Sequence, residues 1–147
     1  TFGLPFVHRT YGLKPIFHKD EADVYCQMPS MAARYGLNMG GGMPAIGQLL
    51  SDGDELLLGT TAVRLIHTPG HTPGSSVFYI PDAGLLFSGD TLFRESIGRT
   101  DLPGGSYEDE LNSIKNKLFC LPDDTVVLTG HGPSTTIGWE KQNNPYA

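Results

Sequence analysis

Apolar positions along this chain recur first in short helical stretches and then in short strands. The segment from Phe2 to Tyr11 reads as the end of a helix, with Gly12 as its stop. Lys14-Pro15-Ile16-Phe17-His18 predicts a short strand whose proline places it near a strand end. Asp20 is placed to cap a helix from Glu21 towards Met28, with Asp23 in its first turn. Ser30 is placed to cap another short helix that ends at Gly36. Asn38 to Ala45, NMGGGMPA, reads as a glycine-rich surface loop. No G-K-[ST] follows it, so it is not a phosphate cradle.

From Leu49 the period shortens. Leu56–Leu58 and Thr61–Ile66 predict two strands around Gly59. Ser76–Ile80 and Leu85–Ser88 predict two more, joined through Pro81-Asp82-Ala83-Gly84. Tyr107, Leu111, Ile114 and Leu118 then recur as one helix face, which puts Tyr107 in the core. Ser106 caps that helix, and Asp109 completes a capping box. Thr125–Leu128 is a continuous apolar-rich strand, and Ile137–Asn143 a final helix halted by Asn144-Pro145. Hairpins and one strand-helix-strand passage predict an α/β or α+β chain, read as a single domain over 1–147.

Composition narrows the function classes. Ten Lys plus Arg stand against 16 Asp plus Glu, a net charge of −6, with no basic cluster. Nucleic acid is therefore not an expected partner. No apolar run approaches the ~18 residues of a membrane span, so no membrane partner is expected. Cys26 and Cys120 lack a C-x-x-C pattern. They are expected to be buried small hydrophobes in a reducing cytoplasm. The 19 glycines and 11 prolines, without repetition, imply many structured loops, which is where sites sit. Thr1 opens the sequence and no signal peptide follows; a fragment or processed product is the expectation.

Three predicted strands end in the same way. Thr68-Pro69-Gly70-His71, Ser88-Gly89-Asp90-Thr91 and Thr129-Gly130-His131-Gly132 each place His or Asp directly after a glycine. Glycine lets a backbone turn sharply and approach another group closely. Two imidazoles and a carboxylate suit zinc if the three ends meet at one sheet edge. Each alone is equally an ordinary hydrogen-bonded loop residue, so both readings stand on the residues themselves.

T-P-G-H-T-P-G-S, F-S-G-D-T-L-F and T-G-H-G-P-S-T-T-I-G-W-E-K-Q-N-N-P, in this order, resemble the metallo-β-lactamase superfamily and its glyoxalase II-like branch. The stretch from Gly98 to Ser106 is similar to that branch too, and the resemblance spans Phe2 to Pro145. It implies a four-layer αββα sandwich with its metals at one edge. His71 matches a histidine ligand of the first metal, Asp90 the aspartate that bridges two metals, and His131 the last histidine, on the second. His8, His18 and His67 match no ligand position, and His67 reads as structural. Arg99, Lys141 and Asn143 are lesser candidates near the site. Arg99 is in reach of Asp101 or Asp90.

The implied activity is metal-dependent hydrolysis, with metal-bound hydroxide attacking a thioester of the hydroxyacyl-glutathione type. The implied cofactor is zinc, as one or two ions, with iron or manganese as alternatives. An iron-dependent persulfide dioxygenase of the same superfamily and a non-catalytic, self-associating fragment are the rival readings. The family's H-x-H-x-D-H signature is absent. The chain is therefore expected to be the C-terminal portion of the sandwich, impaired in activity. It is expected to pair with a second copy as a homodimer or with the missing N-terminal segment.

Overall fold

The computed structural model describes residues 3–37 and 42–147. Helix α1 (Leu4–Tyr11) begins with a proline in its first turn and stops at Gly12, which adopts the left-handed conformation. Phe2 lies outside the described residues. Strand β1 (Ile16–His18) runs through a 3₁₀ turn, Lys19–Glu21, into α2 (Ala22–Arg34). Asp20 does not cap this helix. The helix has no side-chain cap; His18 caps the 3₁₀ turn before it, its Nδ1 accepting from the Asp20 N–H at 3.3 Å. Nor does Ser30 start a second helix, since α2 continues through Pro29 to Arg34. Pro29 falls eight residues into the helix, and Ser30 donates to the Gln27 carbonyl one turn back. Of the predicted glycine-rich loop, residues 38–41 lie outside the described residues. Its remaining part carries the Pro44 carbonyl that accepts the buried Tyr25 hydroxyl at 2.7 Å.

Strand β2 (Gln48–Leu50) pairs in parallel with β1. Strands β3 (Glu55–Leu58), β4 (Thr61–His67), β5 (Ser76–Ile80) and β6 (Leu85–Gly89) then form an antiparallel meander. A small hairpin, β7 (Leu92–Phe93) and β8 (Ser96–Ile97), follows. Helix α3 (Tyr107–Ser113) continues into a π turn, Ile114–Leu118, and leads to β9 (Val126–Thr129), which lies parallel to β6. Strand β10 (Thr135–Thr136) and α4 (Ile137–Asn143) close the fold. The main sheet runs β10-β9-β6-β5-β4-β3.

Strand alternation gives this sheet two apolar faces. Val77, Tyr79, Leu86 and Val127 pack with Ile114, Leu118 and Ile137 beneath α3 and α4. Each such side chain contributes roughly 1.5–3 kcal/mol by leaving water. The opposite face carries Leu65, Phe78, Phe87 and Leu128 in one cross-strand row. Leu65 is buried, but Phe87 remains 44% exposed. Helix α2 and Phe17 of β1 lie on this side and line a cleft together with Phe78. The result is a mixed helix-and-sheet sandwich. Both cysteines are exposed, contrary to the expectation of burial. Cys26 lies on α2, and Cys120 in the turn that follows the π turn, where its Sγ donates to the Asn116 carbonyl at 3.2 Å.

Candidate metal centre

The three glycine-preceded residues meet at one end of the main sheet. Gly89 at the end of β6 stands beside Thr129 at the end of β9, and the Gly130 N–H donates to the Gly89 carbonyl at 2.7 Å. That pairing sets Asp90 next to His131. His131 Nε2 lies 3.5 Å from Asp90 Oδ1, and His71 Nε2 lies 3.7 Å from Asp90 Oδ2. One carboxylate therefore faces a different imidazole with each of its oxygens. A Cβ on Gly130 would fall 2.4 Å from Asp90 Oδ1. No other residue leaves the carboxylate its place.

The turn between β4 and β5 carries His71. Its Nδ1 lies 2.8 Å from the Arg99 carbonyl, which can only accept. Nδ1 is thus the protonated nitrogen, and the Nε2 lone pair is directed at the Asp90 side. Arg99 serves through this carbonyl. Its guanidinium makes a two-point pair with Asp101 at 2.7 and 2.8 Å and does not reach Asp90. That pair holds the Asp101 carboxyl down to about 2. His131 is exposed, with Phe93 at its side (ring centroids 6.1 Å apart). Lys141 pairs with Asp123, and Asn143 bonds within its own helix to the Trp139 carbonyl, so neither serves the centre.

Beneath the centre lies a residue that sequence reading did not single out. Glu110 is fully buried. Its Oε2 accepts the His71 backbone N–H at 2.8 Å, and Oε1 has no hydrogen-bond partner. Burial pushes this carboxyl up to about 8; the His71 N–H and the nearby Gly98 N–H, itself bonded to the Thr91 carbonyl, pull it back in part, and the Asp90 charge pushes it further up. The predicted core position Tyr107 is instead 53% exposed.

A second cluster brings ligand atoms of His18, Asp20 and His67 within 4.8 Å of one another. The two rings, however, stack in parallel with centroids 3.7 Å apart. An ion between them would lie far out of both ring planes, whereas the imidazole lone pair lies in the plane. His67 Nε2 also contacts the Pro73 carbonyl at 2.8 Å, and Lys117 donates to the His67 carbonyl. This cluster is a packed joint under the turn that carries His71. Burial, then the neighbouring His67, holds the His18 imidazole below its ordinary value.

A cleft of about 820 Å³ opens beside His71 and Asp90. Met28, Met31 and Phe78 line its apolar wall, and Arg34 and Glu21 supply charge. Glu21 Oε2 accepts the Thr72 hydroxyl at 2.6 Å, next to His71. Among the described residues no helix is long and apolar enough to cross a membrane.

Comparison with known proteins bears on these residues. Residues 3–131 match the family model described as the metallo-beta-lactamase superfamily. The chain is 42% identical over 161 residues to the uncharacterized protein Rv2581c of Mycobacterium tuberculosis, covering 99% of this chain and 66% of that one. It is 40% identical over 139 residues to hydroxyacylglutathione hydrolase GloC of Haemophilus influenzae, covering 89% of this chain and 63% of the relative. Among solved structures, BLEG-1 B3 metallo-beta-lactamase matches 97% of this chain and 68% of its own (41% identity, TM-score 0.87). TTHA1623 in a di-iron-bound form matches 99% and 70% (34% identity, TM-score 0.87). The chain thus spans less than two thirds of the length of these curated relatives.

Proposed function

Because the chain belongs to the metallo-beta-lactamase superfamily, we propose that it carries part of the centre of a metal-dependent thioester hydrolase acting on a hydroxyacyl-glutathione-like substrate. The observation that supports this most directly is the Asp90 carboxylate with one imidazole on each oxygen. His71 with Oδ2 would hold one ion and His131 with Oδ1 a second. Nitrogen and carboxylate donors of this kind suit zinc and iron alike. A divalent ion supplies Lewis acidity and lowers the pKa of water to ~7.

The chain's own residues do the rest. The Arg99 carbonyl keeps the His71 ring turned with Nε2 outward. Met28, Met31 and Phe78 offer an apolar wall for an acyl or thiol chain, and a cleft of this size suits a small molecule. Arg34 offers a cation to a carboxylate on the substrate. Glutathione-type thiols, which carry carboxylates, fit that lining. The relative named GloC supports the same class.

Three donors are few for two ions, since a catalytic zinc ordinarily has three protein ligands of its own. We assign the remaining donors, and cover for the half-open Phe87 face, to association with a further protein segment or with a second copy of the chain. Turnover by the chain alone is therefore expected to be low. The test is calorimetric titration of Zn²⁺, and separately Fe²⁺, into EDTA-stripped chain, followed by a hydroxyacyl-glutathione hydrolysis assay. Binding that weakens in Asp90→Asn and His71→Ala is expected. Binding indifferent to both substitutions overturns the reading. Iron is included because a solved relative holds two irons. Oxygen uptake with a persulfide, in place of thioester hydrolysis, would favour a dioxygenase.

A further inference from the structure

The turn that presents His71 is held one residue at a time by α3 and its N-cap residue. The Ser113 hydroxyl donates to the Pro69 carbonyl at 2.8 Å. The Ser106 backbone N–H donates to the Gly70 carbonyl at 2.8 Å. Glu110 Oε2 accepts the His71 N–H at 2.8 Å. Positions 110 and 113 are three apart and share one face of α3, and Ser106 is the extended N-cap residue that opens it. Gly70 completes the fit. Its φ is +148°, and a Cβ there would fall 2.2 Å from Glu110 Oε2 and 2.4 Å from Glu110 Cα.

Packing alone does not account for Glu110. Its Oε1 is buried with no hydrogen-bond partner, which is destabilising. A leucine would fill similar space without that unpartnered atom, but it would leave the His71 N–H without its acceptor. A carboxyl buried in this way, with one backbone N–H of a candidate ligand as its hydrogen-bond partner, marks a site that spends stability on geometry. Ser113 is likewise buried, and its hydroxyl has the Pro69 carbonyl as its partner.

We propose that Glu110 and Ser113 are positioning residues: together with the Ser106 backbone they form a seam on α3 that fixes the Pro69-Gly70-His71 turn and so aims His71 Nε2 at the metal centre. The metal part of this inference rests on the reading of His71 as a ligand; the positioning part does not. Residues that orient a ligand typically cost 10–100-fold in metal affinity when lost.

The experiment uses the whole chain with ¹⁵N-labelled histidine, stripped with EDTA, as Glu110→Leu, Ser113→Ala, the double variant and Glu110→Gln. Metal-free NMR reads the His71 tautomer and the exchange rate of its backbone N–H. Thermal unfolding reads stability, and Zn²⁺ competition reads affinity. In the starting protein His71 is expected as the Nδ1–H tautomer with a slowly exchanging N–H. The double variant is expected to lose both signatures and to bind Zn²⁺ about tenfold more weakly. Glu110→Leu is expected to speed exchange of that N–H while thermal unfolding shows the fold intact, and Glu110→Gln to restore the slow exchange, because its amide oxygen still accepts. A seam that merely fills space predicts an unchanged His71 tautomer and an unchanged N–H exchange rate in Glu110→Leu. A double variant that keeps the tautomer and the slow exchange overturns the proposal. Should the starting protein bind no Zn²⁺, the ligand reading fails while the metal-free spectra still decide the seam.

Discussion

Glu110 makes a quantitative prediction about stability and pH. Its carboxyl sits near 4.5 in an unfolded chain and at about 8 in the fold. Between these values the folded chain keeps a proton that the unfolded chain has released. Stability therefore falls as pH rises through that interval and levels off above pH 8. At ~1.4 kcal/mol per pH unit, the loss across the interval is on the order of 5 kcal/mol. That is large against a whole domain's ~5–15 kcal/mol. Glu110→Gln removes the titration and keeps the acceptor for the His71 N–H. Glu21, raised chiefly by burial, acts in the same direction. Asp52 and Asp101 are held low and act only at acid pH. All three are common to both proteins and cancel in the difference. Urea unfolding in EDTA from pH 5 to 8.5 should show the variant gaining on its parent by several kcal/mol as pH rises. Parallel curves would refute the argument and place Glu110 among ordinary, ionised carboxylates.

Three further outcomes are expected. Gly130→Ala should push the Asp90 carboxylate aside, because its Cβ would fall 2.4 Å from Oδ1; Zn²⁺ affinity measured by competition should drop about tenfold or more. His131→Ala should leave the unfolding midpoint within about 0.5 kcal/mol of its parent, since the ring is 80% exposed, yet weaken binding of an ion at the Oδ1 side. Sedimentation at micromolar concentration should show self-association driven by the apolar row at Phe78 and Phe87, which Phe87→Glu should reduce; a 15.9 kDa monomer with sharp cooperative unfolding would contradict it.

The parts of the fold legible in the sequence are those where one local rule decides. Gly12 ends α1, and Ile137 to Asn143 form α4 up to the residue expected. The hairpins around Gly59 and Gly84 appear where turn residues interrupt apolar runs. Failures occur where two rules compete. Pro29 and Ser30 resemble a break, but Pro29 lies inside a helix whose flanking contacts outweigh one lost bond. On α3 the apolar spacing from Tyr107 is sound only for Ile114 and Leu118, which are buried. Nearer the start, the inward positions are Glu110 and Ser113. The buried stripe runs through Glu110, Ile114 and Leu118, with Ser113 beside it, so it passes Tyr107 by. No hydropathy pattern places a glutamate in the interior in preference to a tyrosine.

The centre divides along the same line. Glycine before His71, Asp90 and His131 was a readable signal, because a close approach at Gly70 and Gly130, and a left-handed backbone at Gly89 (φ +53°), demand it. Which atoms meet was not readable, since that depends on register: Gly89 beside Thr129 brings His131 to one carboxylate oxygen, and the long β4–β5 turn brings His71 to the other. The support for the turn left even less trace. Serine, glutamate and serine along a helix resemble a solvated stripe, and only a tertiary contact turns that stripe inward. The signal available was Gly70 itself. A glycine directly before a candidate ligand, at a backbone conformation that other residues rarely adopt, implies that something lies against it. Here that something is the Glu110 backbone and carboxylate, so the same small residue that frees His71 to turn also admits the group that stops it turning further.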